Sequence, residues 1–112
     1  MLIVEQKISI NELKVLAENL LGDLVKAVVD IKKEILILDA ELHADMEAYL
    51  LENGSEQDNL WGINLYPDME GEDFLEFDSM INIRPRQGNR SRGVEDVNIQ
   101  NKIRNIVNNK IK

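Results

Sequence analysis

The sequence predicts an α+β fold in which an antiparallel meander of four or five strands has one helix near each terminus. Three observations predict it. Apolar residues recur at helical spacing near the two ends of the chain, they alternate with polar residues in its middle, and turn-forming residues separate the alternating stretches. The 112 residues, 44% of them hydrophobic, suit a core that needs no further support. We therefore expect a single α+β domain over residues 1–112.

Capping residues and one apolar stripe predict each helix. Ser9 and Glu12 match a capping box, leucines follow at helical spacing, and Gly22 supplies the stop. Asp96 can cap the last helix. The buried stripe of that helix is expected to consist of Ile99, Ile103, Ile106, Val107 and Ile111. A short strand over residues 1–5 is predicted before the first helix.

The longest alternating stretch lies in the middle of the chain. From residue 36 to 50 every even position is apolar, whereas the odd positions from 39 to 47 hold four acids and His43. This period predicts extended structure, because a strand would sort the charged side chains onto one face. The residue types favour a helix by propensity, so a helix over 43–52 is the alternative.

Three further strands follow from composition and alternation. Residues 24–31 are β-branched and lead into a turn at Lys32 and Lys33. Residues 60–66 and 74–84 alternate between apolar and polar side chains. A proline ends each of these last two stretches, because proline has no N–H for the ladder.

The alternating stretches place their polar side chains on one face of the sheet. Because each helix has a single apolar stripe, both helices are expected to cover the opposite face and to leave this one in water. The polar face would carry Asp39, Glu41, His43, Asp45, Glu47, Asn64, Tyr66, Glu76, Asp78, Asn82 and Arg84. A solvated or internally paired face is the simplest interpretation, and a ligand or partner surface is the second.

A metal or catalytic site on this face is the third interpretation. Asp45, Glu76 and Asp78 would be oxygen ligands for Mg, Mn or Ca ions, and His43 would act as the acid or base. His43 is the only histidine, which excludes a multi-histidine metal site. No cofactor is expected outside this alternative, because the chain contains no phosphate-binding or dinucleotide-binding motif.

Basic residues are concentrated at the C-terminal end. Residues 84–112 hold 8 of the 13 basic residues, including all five arginines, and only 2 of the 21 acids. The segment 84–93 combines four arginines with two glycines and could form an anion-binding nest, with Arg84, Asn89 and Arg90 as candidate ligands. The alternative is self-neutralisation, in which the arginines pack on the acidic body of the chain.

Composition excludes several classes of protein. The chain has no cysteine, which excludes disulfides, thiol catalysis and cysteine-ligated metals. No apolar run approaches the ~18 residues of a membrane span, and no signal-peptide pattern is visible. A cytoplasmic protein with no membrane partner is therefore expected. The formal charge of −8 and the five aromatic residues argue against nucleic acid as a partner.

Four strings stand out as a combination. They are ELHADxE over 41–47, LWGINLYP over 60–67, DSxINIRP over 78–85 and NRS over 89–91. Together they resemble an uncharacterised family of short prokaryotic proteins, a domain of unknown function, over residues 24–107. The resemblance implies no activity. It implies a shared pattern that includes His43, Asp45, Asn64, Tyr66, Asp78, Asn82, Arg84, Asn89 and Arg90.

These observations favour a small binding or interaction module. It would use the polar face and the Arg84–Arg92 loop to bind an anionic ligand or a protein partner, with the arginines clamping the anion. Asn64, Tyr66 and Asn82 would orient the bound group. The same surface could join two copies into a homodimer. A metal-dependent hydrolase on this face is the alternative function.

Overall fold

The structure, a computed structural model, describes residues 1–112. Its strands and helices are β1 (Leu2–Ile3), α1 (Ile10–Leu20), β2 (Val25–Asp30), β3 (Ile35–Leu38), α2 (His43–Glu52), β4 (Leu60–Leu65), β5 (Leu75–Glu76) and α3 (Val97–Lys110). The α+β class, the antiparallel sheet and the helix near each terminus are thus confirmed. None of the helices is both long and apolar enough to cross a bilayer.

One five-stranded sheet has the order β1-β3-β2-β4-β5, with every pair antiparallel. The central strand is β2, whose Val28 pairs with Ile37 of β3 and with Gly62 of β4. Strands β3 and β4 therefore run in the same direction on either side of β2, and the chain between them has to cross over the sheet. Helix α2 makes that crossing.

Helices α1 and α3 cover the first face of the sheet, as their apolar stripes predict. The main core joins Leu13 and Ala17 of α1 and Ile103, Ile106 and Val107 of α3 to the strands. Both caps form as expected, since Ser9 Oγ accepts from the Glu12 amide at 3.1 Å and Asp96 Oδ1 from the Asn98 amide at 2.8 Å. Gly22, at φ 101°, ends the turn after α1.

The predicted strand from residue 36 to 50 is wrong beyond Leu38. A four-residue bend follows β3, with Asp39 at a positive φ of 72°, and α2 then begins at His43. The reason lies in the spacing, because Met46 and Leu50 are four residues apart and so fit a helical face as well as an even-numbered strand face. Burial of these residues against the sheet, together with their helix propensity, then favours the helix over the strand.

The expectation of a polar second face is also wrong. Helix α2 covers this face and forms a second, smaller core of Val28, Ile37, Met46, Leu50 and Leu60. Because α2 has to cross the sheet, its buried stripe needs an apolar partner, and Val28 of β2, Ile37 of β3 and Leu60 of β4 supply it. Polar side chains of this face still meet around the N-terminal end of α2.

The predicted strand over 74–84 is wrong as well, because β5 ends at Glu76. The chain then continues through a 3₁₀ turn at Met80–Asn82, and side chains complete the outer edge of β4 in place of a strand. Asn82 Oδ1 accepts from the Gly62 amide at 2.8 Å, and Asn82 Nδ2 donates to the Gly62 carbonyl at 3.0 Å. Arg84 Nη2 donates to the Leu60 carbonyl at 2.8 Å. The unpaired edge is thus covered, which protects it from pairing with another chain.

Candidate functional site

A cleft of about 180 Å³ lies where the N-terminal end of α2 meets β2, β4 and the 78–81 segment. We call it the α2 cleft. Its polar lining consists of Lys26, His43, Asn64, Asp78, Ser79 and Arg92, and its apolar lining of Leu42, Ala44, Met80 and Ile81. The structure therefore brings three of the predicted candidates, His43, Asn64 and Asp78, into one site.

His43 is the first residue of α2 and is only 8% exposed. Its Nε2 lies 2.8 Å from the carbonyl oxygen of Ile63. Since a carbonyl can only accept, Nε2 carries the proton of the neutral ring, and Nδ1 is left as a free acceptor. Nδ1 makes no hydrogen bond within the chain. The ring is thus fixed in one tautomer by the strand that it packs on.

The pKa of His43 lies below its ordinary value of 6.5. Burial is the main cause, because it removes the imidazolium from water, and the nearby charges of Lys26 and Arg92 act in the same direction. The hydrogen bond to Ile63 and the carboxylate of Asp78 act in the opposite direction without reversing the shift. His43 is therefore neutral at pH 7 and can serve as a hydrogen-bond acceptor.

This lowered pKa predicts a loss of stability in mild acid. The unfolded chain binds a proton at His43 below about pH 6.5, whereas the folded chain resists it, so the free energy of unfolding falls as the pH drops from 6.5 towards the folded pKa. One proton accounts for at most about 1.4 kcal/mol per pH unit. Urea unfolding between pH 5 and 8 should show this slope in the wild type and a flatter one in His43→Gln. Identical slopes would contradict the assignment.

Asn64 lies on β4 directly opposite Lys26 of β2 and is 7% exposed. Its Nδ2 donates to Glu76 Oε1 at 2.9 Å and to the Asp78 carbonyl at 3.3 Å, which fixes the orientation of the amide. Its Oδ1 is buried and has no hydrogen-bond partner. An unsatisfied buried acceptor in a native structure calls for a water or ligand donor.

Two cationic side chains, Lys26 and Arg92, also belong to the lining of the α2 cleft. Lys26 is half-buried and makes no ion pair, while Arg92 Nε holds Asp78 Oδ1 at 2.6 Å. No side chain caps α2, and the amides of His43 and Ala44 have no acceptor within the chain. A helix start with free N–H groups favours negative charge, so the cleft combines anion-attracting groups with the acceptor of Asn64.

The other predicted candidates are engaged elsewhere in holding the chain. Asn89 Nδ2 donates to the carbonyls of Asn82 at 2.7 Å and Gly93 at 2.8 Å, and its Oδ1 accepts from the Glu95 amide. The Arg84 guanidinium donates to the carbonyls of Gln57 and Leu60 and lies 4.2 Å from the centre of the Trp61 ring. These side chains replace backbone pairing and are not available to a ligand.

The expected anion nest exists, but it holds an anion of the chain itself. The amides of Arg90 and Ser91 donate to Glu95 Oε2 at 2.6 and 3.0 Å. These two hydrogen bonds keep the pKa of Glu95 below its ordinary value, and the bond from the Arg90 amide has the larger effect. Arg86 and Arg92 also form ion pairs with the acids Asp58 and Asp78. The contacts of this segment therefore agree with self-neutralisation. The Arg90 side chain does not take part in these ion pairs and is exposed.

The candidate metal ligands do not converge. Glu76 and Asp78 both lie beside Asn64, but Asp45 is exposed on α2, and nowhere do three His, Asp or Glu side chains come close enough to share an ion. Glu76 Oε1 instead accepts from the Tyr66 hydroxyl at 3.0 Å. Burial raises the pKa of Tyr66, and this hydrogen bond adds a smaller effect in the same direction.

Sequence reasoning missed one residue of the cleft and one residue against which its lining packs. Lys26 is the only charged residue inside the valine-rich stretch that forms β2 up to Asp30, and a lone charge in such a stretch indicates a functional or paired position. Gly62 is the other, since Ser79 and His43 pack directly against its α-carbon. A glycine inside an otherwise apolar strand is the available signal for such a close approach.

The fold and the cleft define a class of protein, a small α+β domain with a polar cleft beside the start of a helix. The chain belongs to the protein family of unknown function DUF5674, whose family model matches residues 2–110. Neither a curated protein nor a solved structure gives a significant match. The expected resemblance to a domain of unknown function is thereby confirmed.

Proposed function

We propose that the chain is a small binding module that holds an anionic ligand in the α2 cleft. One observation carries the proposal: Asn64, whose buried Oδ1 has no hydrogen-bond partner, belongs to the lining of the same cleft as Lys26 and Arg92. A buried acceptor without a partner costs about 1–3 kcal/mol. A ligand or water that donates to Asn64 would recover that cost.

The lining favours two kinds of group on one ligand. Lys26, Arg92 and the free amides at the start of α2 favour a carboxylate oxygen. Asn64 Oδ1 and His43 Nδ1 are both acceptors, so either of them could accept from a hydroxyl group next to that carboxylate. A small hydroxycarboxylate carries both groups and suits a cleft of about 180 Å³. Its non-polar part would contact Leu42 and Met80, which are exposed at the cleft.

As in the hypothesis from the sequence, the ligand is anionic and Asn64 orients it. The cationic residues that bind it differ in part. Arg92 keeps the clamping role expected of the loop arginines, and Lys26 takes the place of Arg84, because the Arg84 side chain is bonded to a backbone carbonyl. The metal-dependent hydrolase has less support, since Asp45 does not join Asp78 and Glu76 in one group of ligands.

The test compares two anions and three variants. Glycolate should raise the melting temperature more than acetate, which lacks the hydroxyl donor, with chloride as the control for ionic strength. Lys26→Met removes the free cation and should weaken glycolate binding about tenfold, the effect of losing ~1.4 kcal/mol. Lys102→Met, an exposed lysine on α3, is the matched control. Asp78→Asn releases Arg92 and should strengthen binding.

Three results would contradict the proposal. If glycolate and acetate raise the melting temperature equally, Asn64 does not contact the ligand. If glycolate raises the melting temperature of Lys26→Met as much as that of the wild type, Lys26 does not bind it. In amide NMR spectra, glycolate should shift the signals of residues 42–44 and 78–80. Shifts confined to other regions would place binding elsewhere.

We also propose a cytoplasmic location for the module. The absence of cysteine, which leaves the fold independent of an oxidising compartment, supports it. Localisation of a tagged full-length chain would test it, and recovery outside the cytoplasm would contradict it.

A further inference from the structure

A second and larger groove lies on the other side of the molecule, between α3 and the segment that leads into β5. Its volume is about 550 Å³, which lies within the range of small-molecule sites. The floor is apolar and is formed by Phe74 and Leu75 on one side and by Val107 and Ile111 on the other. We call it the α3 groove. It shares no lining residue with the α2 cleft.

The two walls of the α3 groove carry opposite charges. Glu70 and Glu72 belong to the segment before β5, whereas Arg104 and Lys112 belong to α3 and the residues after it. The four ion pairs of the chain lie elsewhere, so no ion pair joins these walls. Charges that face one groove without pairing are available to a ligand that bears the complementary charges.

Arg104 is the best-fixed of these groups. Its guanidinium lies 4.9 Å from the centre of the Phe77 ring, and its Nη1 donates to Gln100 Oε1 at 3.4 Å. A guanidinium held in place can form two parallel bonds to a carboxylate with little loss of entropy. The carboxylate end of a ligand is therefore expected at Arg104.

We infer that the α3 groove binds a short zwitterionic peptide with apolar side chains. The carboxylate terminus would pair with Arg104 and Lys112, the ammonium terminus with Glu70 and Glu72, and the side chains would cover the apolar floor. A ligand without net charge also avoids the long-range repulsion that a chain of formal charge −8 exerts on an anionic amphiphile. Met69 is exposed at the rim, and its flexible side chain can adapt to different apolar side chains.

Isothermal titration with the dipeptide leucyl-leucine tests this inference. Binding is expected, and the capped form, N-acetyl-leucyl-leucinamide, should bind at least about tenfold more weakly because both terminal charges are gone. Octanoate, which has a carboxylate but no ammonium group, should also bind more weakly. Absence of measurable dipeptide binding, or equal binding of the capped form, would overturn the inference. Tighter binding of octanoate would show an anionic lipid site instead and would overturn it too.

Variants locate the site within the chain. Arg104→Gln and Glu72→Gln should each weaken dipeptide binding about tenfold. Lys102→Gln, on the exposed side of α3, should leave it unchanged. Glu72 is exposed and makes no side-chain hydrogen bond, so its variant is informative even if Arg104→Gln does not fold. Unchanged binding in Glu72→Gln would overturn the assignment of the ammonium end. These results do not depend on the α2 cleft, whose lining none of these substitutions touches.

Discussion

Replacement of Asn82 by alanine is expected to lower the free energy of unfolding by about 3–5 kcal/mol. The buried amide and carbonyl of Gly62 lose their partner, at a cost of ~1–3 kcal/mol each, and the Arg92 carbonyl keeps only its second donor, the Ser79 amide. The side chain is fully buried and bonds the amide and carbonyl of Gly62 and the carbonyl of Arg92. It therefore joins β4 to the segment after β5. Urea unfolding monitored by Trp61 fluorescence would measure the loss.

The control for this prediction is Asn105→Ala. Asn105 is an exposed residue of α3, and its substitution should change stability by no more than about 0.5 kcal/mol. Asn82→Asp is a second comparison, because it keeps the acceptor for the Gly62 amide but removes the donor. It should also be strongly destabilising. A loss below 1 kcal/mol in Asn82→Ala would show that water or backbone movement replaces the side chain.

Gly62→Ala should produce the second large effect, a loss of about 3 kcal/mol, which is typical of severe overpacking. A Cβ at this position would lie 2.5 Å from Ser79 Cβ and 2.6 Å from Ser79 Oγ, and 3.2 Å from His43 Cδ2. Ser79 is itself almost fully buried, so it cannot move aside without disturbing the segment around it. Thermal and urea unfolding would measure the effect.

A second substitution tests the cause. Ser79→Gly removes both contacting atoms, so the double variant should recover part of the stability that Gly62→Ala loses. Gly93→Ala is the control, because its nearest contact is an ordinary 3.4 Å. If the losses from Gly62→Ala and Ser79→Gly simply add, the clash is not the cause. Because His43 also lies against Gly62, the variant should weaken the glycolate response as well.

The two proposed sites differ in how far the sequence could indicate them. Alternation predicted that His43, Asn64 and Asp78 lie on one face. The structure does bring them together, but for another reason: His43 is the first residue of helix α2 and does not belong to a strand. Asp39 and Glu41 lie before the helix, and Asp45 is exposed on it. The α3 groove joins segments about 30 residues apart, and no motif marks it.

Local sequence signals predict the fold class, both ends of α1, the start of α3, and the strands β2 and β4. These elements follow from local signals, such as the side-chain caps at Ser9 and Asp96 and the β-branched run of β2, which act over a few residues.

The remaining elements depend on contacts between distant parts of the chain. The even-numbered apolar residues of 43–52 fit both a strand and a helix, and the need to cross from β3 to β4 selected the helix. The same crossing buried the second face of the sheet. The 77–84 segment alternates like a strand, yet it bonds to β4 through the side chains of Asn82 and Arg84. The backbone groups at the edge of a strand need a hydrogen-bond partner, and a side chain can serve as well as another strand.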